Sequence, residues 1–512
     1  MTVSPEFDSF AARYDQGKTQ VVWRRLVDDL ETPVSAYLKI GKDRPFTFLY
    51  ESVEGGAWRG RYSIVAMKPD LVWRCFGDKA EVAADGDIEV GRYSPQPEPA
   101  LKSLRALVAA TQFALPPELP PMAAGLFGVI GYDMIRQFEP LGPAKPDVLD
   151  LPDAIMIRPS IVAVFDSIAQ EIILITPVRP CGLSAAEAYQ AARARLAETE
   201  ADLRAPLAMP EPGPRHEQEP PTSPLSRADY GRMVDKAKQY IAAGDIFQVV
   251  PSHRFRARFD LPPLAFYRSL RRLNPSPFLF YLNFGGFQLA GSSPEILVRL
   301  RDGKVTIRPI AGTRPRGATP EQDAEFEQDL LGDPKERAEH LMLLDLGRND
   351  VGRAVMLREE GRNEPTTTPR VRVTESFTIE RYSTVMHIVS NVEGDAPDGL
   401  DPVDVILTAL PAGTLSGAPK VRAMQIIHEL EPEDRAAYCG AIGYIGLDGS
   451  MQLNLAIRTM QVYKNEVTLA AGGGIVVDSD PALEFEETEA KARGMLAALG
   501  IENDGRRGRK RG

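Results

Sequence analysis

Two carboxylate pairs have a spacing that can do chemistry. Glu336 and Glu339 are three residues apart, as are Glu484 and Glu487, and each pair follows an Asp-Pro step, Asp333-Pro334 or Asp480-Pro481. On a helix this spacing sends both carboxylates from one face. Two such faces meeting across a cleft would offer an all-oxygen set to a hard divalent ion, with room for waters and a substrate carboxylate, which suits Mg²⁺. Ordinary charged helix surface has the same look, since Glu487 and Lys491 form an i,i+4 pair; spacing alone leaves both readings open. Glu295 precedes the apolar run Ile296-Leu297-Val298. A carboxyl there either gains a raised pKa and donates a proton or is simply solvated. His387, inside Val385–Val389, is either a hydrogen-bonded core histidine or a catalytic one.

Glycine-rich turns form the second group. Gly413–Lys420 (GTLSGAPK) feeds a helix whose first amides can face an anion. The Gly-four-Gly-Lys-Ser/Thr spacing of a P-loop is absent, so phosphate is not indicated. Gly472, Gly473 and Gly474 follow a strand and are either a tight turn or an open approach to backbone amides. Pro309–Arg314 leaves a strand through a small-residue corner, a plain exit or a wall for a flat ligand.

The elements that must position these residues are legible in outline. Phe46–Glu51, Tyr62–Ala66, Leu71–Phe76, Ile155–Phe165 and Glu171–Ile175 are short, rich in β-branched and aromatic residues, and read as strands of one sheet. Ser184–Leu203 reads as a helix. The proline-rich stretch Ala205–Pro224 buries too little apolar surface to fold and reads as a loop or linker. A helix starts at Ser226, with Asp229 completing its cap, and ends at Gly244. Beyond it, strands are expected at Ile246–Phe259, Phe278–Phe284, Lys304–Ile310, Tyr444–Leu447, Leu453–Met460 and Val467–Ala471. Helices begin near Pro334, Pro402, Pro419 and Pro481, prolines tolerated where the amide has no intrahelical partner. This order predicts an α+β fold, a large α/β sandwich built on antiparallel sheets. The chain divides into an N-terminal region 1–204, a linker 205–225, a catalytic region 226–502 and a basic tail 503–512.

Composition narrows the partners. Sixty Lys and Arg against 71 Asp and Glu leave 512 residues with a net charge of −11, which disfavours nucleic acid. No segment reads as a membrane span or a secretory leader. Three scattered cysteines and five histidines exclude a disulfide framework and argue against zinc, and a reducing cytoplasm is the expected location.

Taken together, PIAGTRPRG (Pro309–Gly317), EHLMLLDLGRNDVGR (Glu339–Arg353), GTLSGAPK, GAIGY (Gly440–Tyr444) and AGGGIVVDSDPALEFEET (Ala471–Thr488) resemble the chorismate-utilising enzymes, most closely the large subunits of the anthranilate synthases. The resemblance implies that chorismate and ammonia give anthranilate and pyruvate. It implies Glu295 as general acid on the departing C4 hydroxyl and His387 as an aid to pyruvate elimination. Gly312, Thr313, Thr414, Tyr438, Arg458 and Gly472 to Gly474 would grip the substrate. Mg²⁺ would be held by Glu339 and Glu487 directly, with Glu336 and Glu484 through waters. Gln248 stands where the water-using branch has a lysine base, and Ala311 where the aminodeoxychorismate branch of folate synthesis has an attacking lysine; both point to ammonia and to anthranilate. Glu51-Ser52 and Pro277, Phe278 and Leu279 match the family's L-tryptophan feedback segments. The chain lacks a Gly-x-Cys-Leu-Gly nucleophile turn, so a separate glutamine amidotransferase subunit is expected to supply ammonia, in a heterotetramer.

Overall fold

The computed structural model describes residues 3–27, 29–52, 60–145, 148–208, 220–356, 371–382 and 385–500. The expected tail 503–512 and the linker's central stretch 209–219 lie outside them.

The strands pair antiparallel throughout: two long strands join two facing sheets into one continuous network, and Gln248–Val249 pairs separately with Gly417–Ala418. Tyr62–Phe76 runs alongside Ala154–Asp166, Tyr62 opposite Asp166 and Cys75 opposite Ala154. At one end this pair continues on one side through Glu171–Val178 to Gln20–Val27. On the other side it leads through Thr47–Glu51 to Phe278–Asn283, Phe287–Ser293, Thr459–Tyr463, Glu466–Gly472 and Ser252–Arg258. At the other end it leads through Gly125–Ile130, Ala441–Gly446, Met451–Leu455, Ile296–Arg301 and Lys304–Ile307 to Val385–Asp395. Ladders thus cross between the two halves of the sequence: Glu51 pairs with Leu279, and Ile130 with Ala441.

The facing sheets bury a middle layer that includes Phe48, Phe127, Phe280, Leu289 and Ile442. Helices close the outer faces. Ala185–Arg204 and Pro481–Ala498 bury Leu196 and Met495 over one sheet, while Pro334–Met356 and Pro402–Ala409 bury Val351 and Ile406 over the other. The predicted α/β sandwich on antiparallel sheets is the observed architecture.

The strand expected at Tyr444–Leu447 runs Ala441–Gly446, and four further strands are joined, split or cut short relative to the sequence reading, each at a backbone irregularity. Tyr62–Ala66 and Leu71–Phe76 are one strand, because Lys68 takes a left-handed φ and Pro69 is absorbed in a bulge. Ile246–Phe259 breaks into Gln248–Val249 and Ser252–Arg258 around Pro251, which has no amide to give a ladder. Lys304–Ile310 likewise ends at Ile307, before Pro309, and a new strand runs Ile310–Pro315. Leu453–Met460 splits at Arg458, whose φ of +49° turns the chain out of the sheet. Ser226 and Asp229 form the expected reciprocal capping box, and Ser184 and Glu187 form one that the sequence reading did not single out.

Candidate functional site

Glu295 lies at the entry to strand Ile296–Arg301, buried among apolar neighbours. Burial pushes its carboxyl up to about 8, against the opposing pull of a Thr414 hydroxyl bond and the Arg458 charge. Thr414 Oγ1 donates to Glu295 Oε1 at 3.0 Å. The short helix Gly413–Ser416 presents that hydroxyl, and it approaches helix Pro334–Met356 so closely that a methyl at Gly413 would collide with Leu346. These glycines therefore serve close packing, and Lys420 is tied to Asp350 at 2.7 Å.

Arg458 sits at the break between two strands and, among the described residues, forms no ion pair. Burial lowers its pKa, with Tyr382 and Glu295 pulling the other way. A part-buried guanidinium without a carboxylate partner is suited to a ligand carboxylate held by two parallel bonds. His387 faces the same space from strand Val385–Asp395. Its Nδ1 donates to the Gly312 carbonyl at 2.9 Å, with Thr313 Oγ1 at 3.1 Å, so the proton is on Nδ1 and the Nε2 lone pair is available. Burial depresses its pKa and Arg458 adds to the effect, leaving the ring neutral. Gly312, at φ +68°, brings its backbone against helix Pro334–Met356, where a methyl would lie 3.1 Å from Glu336 Oε2.

The other end of the site is built on Gly472 to Gly474. A methyl at Gly472 would lie 3.2 Å from Tyr438 Oη, one at Gly473 would lie 3.1 Å from Glu484 Oε2, and one at Gly474 would run into Gln248 Nε2. Gln248 Nε2 donates to Glu339 Oε1 at 3.4 Å, while its Oε1 is buried without a partner. The three glycines thus bring Tyr438, Gln248, Glu339 and Glu484 close to the backbone, where the Gly473 amide donates to the Pro251 carbonyl at 3.3 Å.

Glu336 and Glu339 lie on helix Pro334–Met356, and Glu484 and Glu487 on helix Pro481–Ala498. Burial first, and then the charge of Glu336, raises Glu339. Burial and Glu487 raise Glu484, whose Oε2 is buried with no hydrogen-bond partner. Glu487 is half-exposed and ion-paired with Lys491 at 2.7 Å, and Lys491 also donates to the Gly472 carbonyl at 2.9 Å. Glu336 meets Arg314 at 3.4 Å. Among the described residues no three carboxylates close into a metal cluster. The half-buried Glu339 and Glu484, the latter with an orphaned oxygen, nonetheless fit a hard ion that takes one or two protein oxygens and fills the rest with water and substrate. The reach of Lys491 to Gly472 depends on the sheet beneath the helix and has no local signal in the sequence.

A cavity of about 580 Å³ opens between the sheets. Glu51, Ser52, Phe278 and Leu279 line it, together with Ile296 and Asn454. Pro277 is not among its lining residues. Ser52 Oγ and Asn454 Oδ1 are buried there without partners. The Glu51 carboxylate turns away to Arg271, at 2.8 and 2.9 Å, and to the Tyr267 hydroxyl.

Residues 47–497 match the family model described as chorismate binding enzyme. Anthranilate synthase component 1 of Cereibacter sphaeroides is 51% identical over 96% of this chain and 97% of its own length. The protein of the same name from Pseudomonas putida is 46% identical over 92% and 94%. Among solved structures, anthranilate synthase component I of Streptococcus pneumoniae superposes with a TM-score of 0.73 at 34% identity, covering 92% of this chain and 99% of that one. The menaquinone-specific isochorismate synthase of Escherichia coli, at 19% identity and a TM-score of 0.68 over 94% and 95%, shares the fold.

Proposed function

Given that the chain belongs to the chorismate-binding enzyme family, we propose that it is the ammonia-using large subunit of an anthranilate synthase, turning chorismate and ammonia into anthranilate, pyruvate and water. The observation that carries the reading is Glu295, a buried carboxyl still protonated near neutrality and held toward the cleft by Thr414.

Ammonia adds at C2 of the ring while the C4 hydroxyl departs. Hydroxide leaves poorly, so Glu295 gives it a proton and water is lost. Arg458 and the amides of Gly472 and Gly474 hold carboxylate, the Gly473 amide being bound to the Pro251 carbonyl, and Tyr438 and Thr313 fix the ring against the Gly312 corner. Loss of the C2 proton and cleavage of the enolpyruvyl C–O bond then give the aromatic ring and pyruvate. Neutral His387, its Nδ1 occupied by Gly312, has Nε2 free to carry a proton in that step. Glu339 and Glu487, with Glu336 and Glu484 behind them, would hold Mg²⁺, which supplies positive charge to anchor and polarise the ring carboxylate. Gln248 is a neutral amide and cannot activate water as a base. Ala311 presents only a methyl, leaving the ring carbon open to ammonia.

Ammonia comes from a partner glutamine amidotransferase, in a heterotetramer. The cysteines support this division: burial raises the Cys75 thiol, Cys439 is pushed up to about 12 by burial, and Cys181 is exposed, so no buried thiol is activated as a nucleophile. The 580 Å³ cavity with its two unpartnered polar atoms is proposed as the L-tryptophan feedback site, and Glu51 as the group that orders its wall through Arg271. No described helix is long and apolar enough to cross a membrane, and the cytoplasm is the proposed location.

The test is product identification with chorismate, Mg²⁺ and an ammonium salt. Fluorescent anthranilate is expected. Aminodeoxychorismate or isochorismate as the product would overturn the reading, and anthranilate formed from glutamine by the pure chain would overturn the division of labour.

A further inference from the structure

The loop that carries Tyr438 is anchored by a buried ion pair to which the proposed chemistry assigns no task. Arg435 and Glu431 have side chains only 3% and 6% exposed. Arg435 binds both Glu431 oxygens, through Nε at 3.0 Å and Nη2 at 2.6 Å. It also donates to the carbonyls of Val250 at 2.6 Å and Leu415 at 2.8 Å. Glu431 Oε1, the oxygen that Nη2 also holds, accepts the amide and the hydroxyl of Ser252 at 2.7 and 2.9 Å, which fixes the carboxylate against β-strand Ser252–Arg258.

Each of these contacts falls beside a residue of the site. Leu415 follows Thr414, whose hydroxyl holds Glu295. Val250 lies two residues after Gln248, and its amide bonds to Ser416 at 3.0 Å in the same short helix segment. The turn that begins at Arg435 closes with the Tyr438 amide on the Arg435 carbonyl at 3.1 Å, and the guanidinium lies 5.7 Å from the Tyr438 ring centre. A guanidinium can do this because its donors are fixed in one plane; an ammonium cannot hold a two-oxygen carboxylate and two diverging carbonyls at once.

We infer that Arg435, oriented by Glu431, is a positioning residue that sets Thr414, Gln248 and Tyr438 at fixed separations, so that proton donor and substrate grip are aligned by one buried group. It touches no substrate, and the inference rests on the anthranilate-forming reading above. A group that only stabilised the fold would lower the melting temperature without altering the proton affinity of Glu295. A clasp must alter it, because the Thr414 hydrogen bond favours the charged form of Glu295 and loosening that bond lets the pKa rise. The groups facing Glu295 are Thr414 and Arg458. Those facing Arg435 are Glu431, Cys439, Tyr132 and Tyr438; burial pushes the thiol up to about 12 and both phenols upward.

The experiment compares the full chain with its Arg435→Lys, Glu431→Gln and Thr414→Val variants, following ammonia-dependent anthranilate fluorescence against pH. Arg435→Lys is expected to lose roughly ten- to a hundredfold in kcat/KM, with both kcat and KM affected. The alkaline limb should move up by roughly half a unit or more. Thr414→Val should move the same limb, and the double variant Arg435→Lys/Thr414→Val should move it no further. A lowered melting temperature with an unmoved limb, or fully additive shifts, overturns the inference. Should Arg435→Lys fail to fold, the near-isosteric Glu431→Gln is judged by the same criteria. A parent chain that makes no anthranilate overturns the functional reading, and this inference with it, whereas a normal parent with unaltered variants overturns the clasp alone.

Discussion

Replacing Glu295 with glutamine should sharply lower turnover and stabilise the protein, and the two effects have one origin. Burial raises the carboxyl from 4.5 to about 8, corresponding to roughly 5 kcal/mol of preference for the protonated form in the folded state. For a group whose folded pKa is the higher one, its full contribution to stability is present below the unfolded value near 4.5. It is lost progressively as pH rises toward about 8 and levels off beyond. At pH 7 the unfolded chain gains by ionising this carboxyl while the folded chain does not, a penalty of roughly 3 kcal/mol. Glu295→Gln keeps the shape and the Thr414 bond while removing the ionisation. The variant should therefore match the parent in stability near pH 4 and exceed it by up to roughly 3 kcal/mol at pH 7, while ammonia-dependent kcat falls by roughly 10²- to 10⁴-fold. Denaturant unfolding of both proteins at several pH values, with anthranilate fluorescence on the same samples, reads the two effects together. A stability difference that does not change with pH, or turnover near the parent level, would refute the argument that burial prepares Glu295 as the acid.

Other consequences concern the rest of the site. Glu339→Gln and Glu487→Gln should keep the fold, seen as unchanged circular dichroism, and lose Mg²⁺-dependent turnover with ammonia, because either change removes a charged oxygen from a site with few. Gly312→Ala places a side chain at φ +68° and 3.1 Å from Glu336 Oε2. It should cost roughly 1–2 kcal/mol in thermal unfolding, and activity should fall as the corner shifts. Ser52→Phe fills part of the 580 Å³ cavity without touching Glu295 or the carboxylates. Turnover without tryptophan should stay near the parent level while inhibition weakens in a tryptophan titration; equal inhibition of both proteins would place the effector elsewhere.

Much of this was open to reading from local sequence because local physics fixes it. The capping boxes at Ser184 and Ser226 and the prolines that open helices at Pro334 and Pro481 are decided within a few residues of chain. The two three-residue carboxylate spacings become shared helix faces on geometry alone. The motif order from Pro309 to Thr488 carried the family, and the comparisons agree with it.

What local sequence could not decide were properties that exist only between segments. Whether Glu295 is solvated or raised depends on the layers above and below it, and the fold buries it. His387 was open between core and cleft until the Gly312 carbonyl, on the neighbouring strand, fixed its tautomer. Strand ends at Arg458 and Ile307 follow from a single left-handed residue and a single proline, which propensity averaged over a window does not register. The cavity between Ser52 and Leu279 joins residues more than two hundred positions apart through one cross-strand ladder. The Arg435 clasp brings Val250, Leu415 and Glu431 onto one guanidinium. Spacing along a chain reports which residues share a helix face, but burial, tautomer and orientation depend on what packs opposite, and only the tertiary structure brings those partners together.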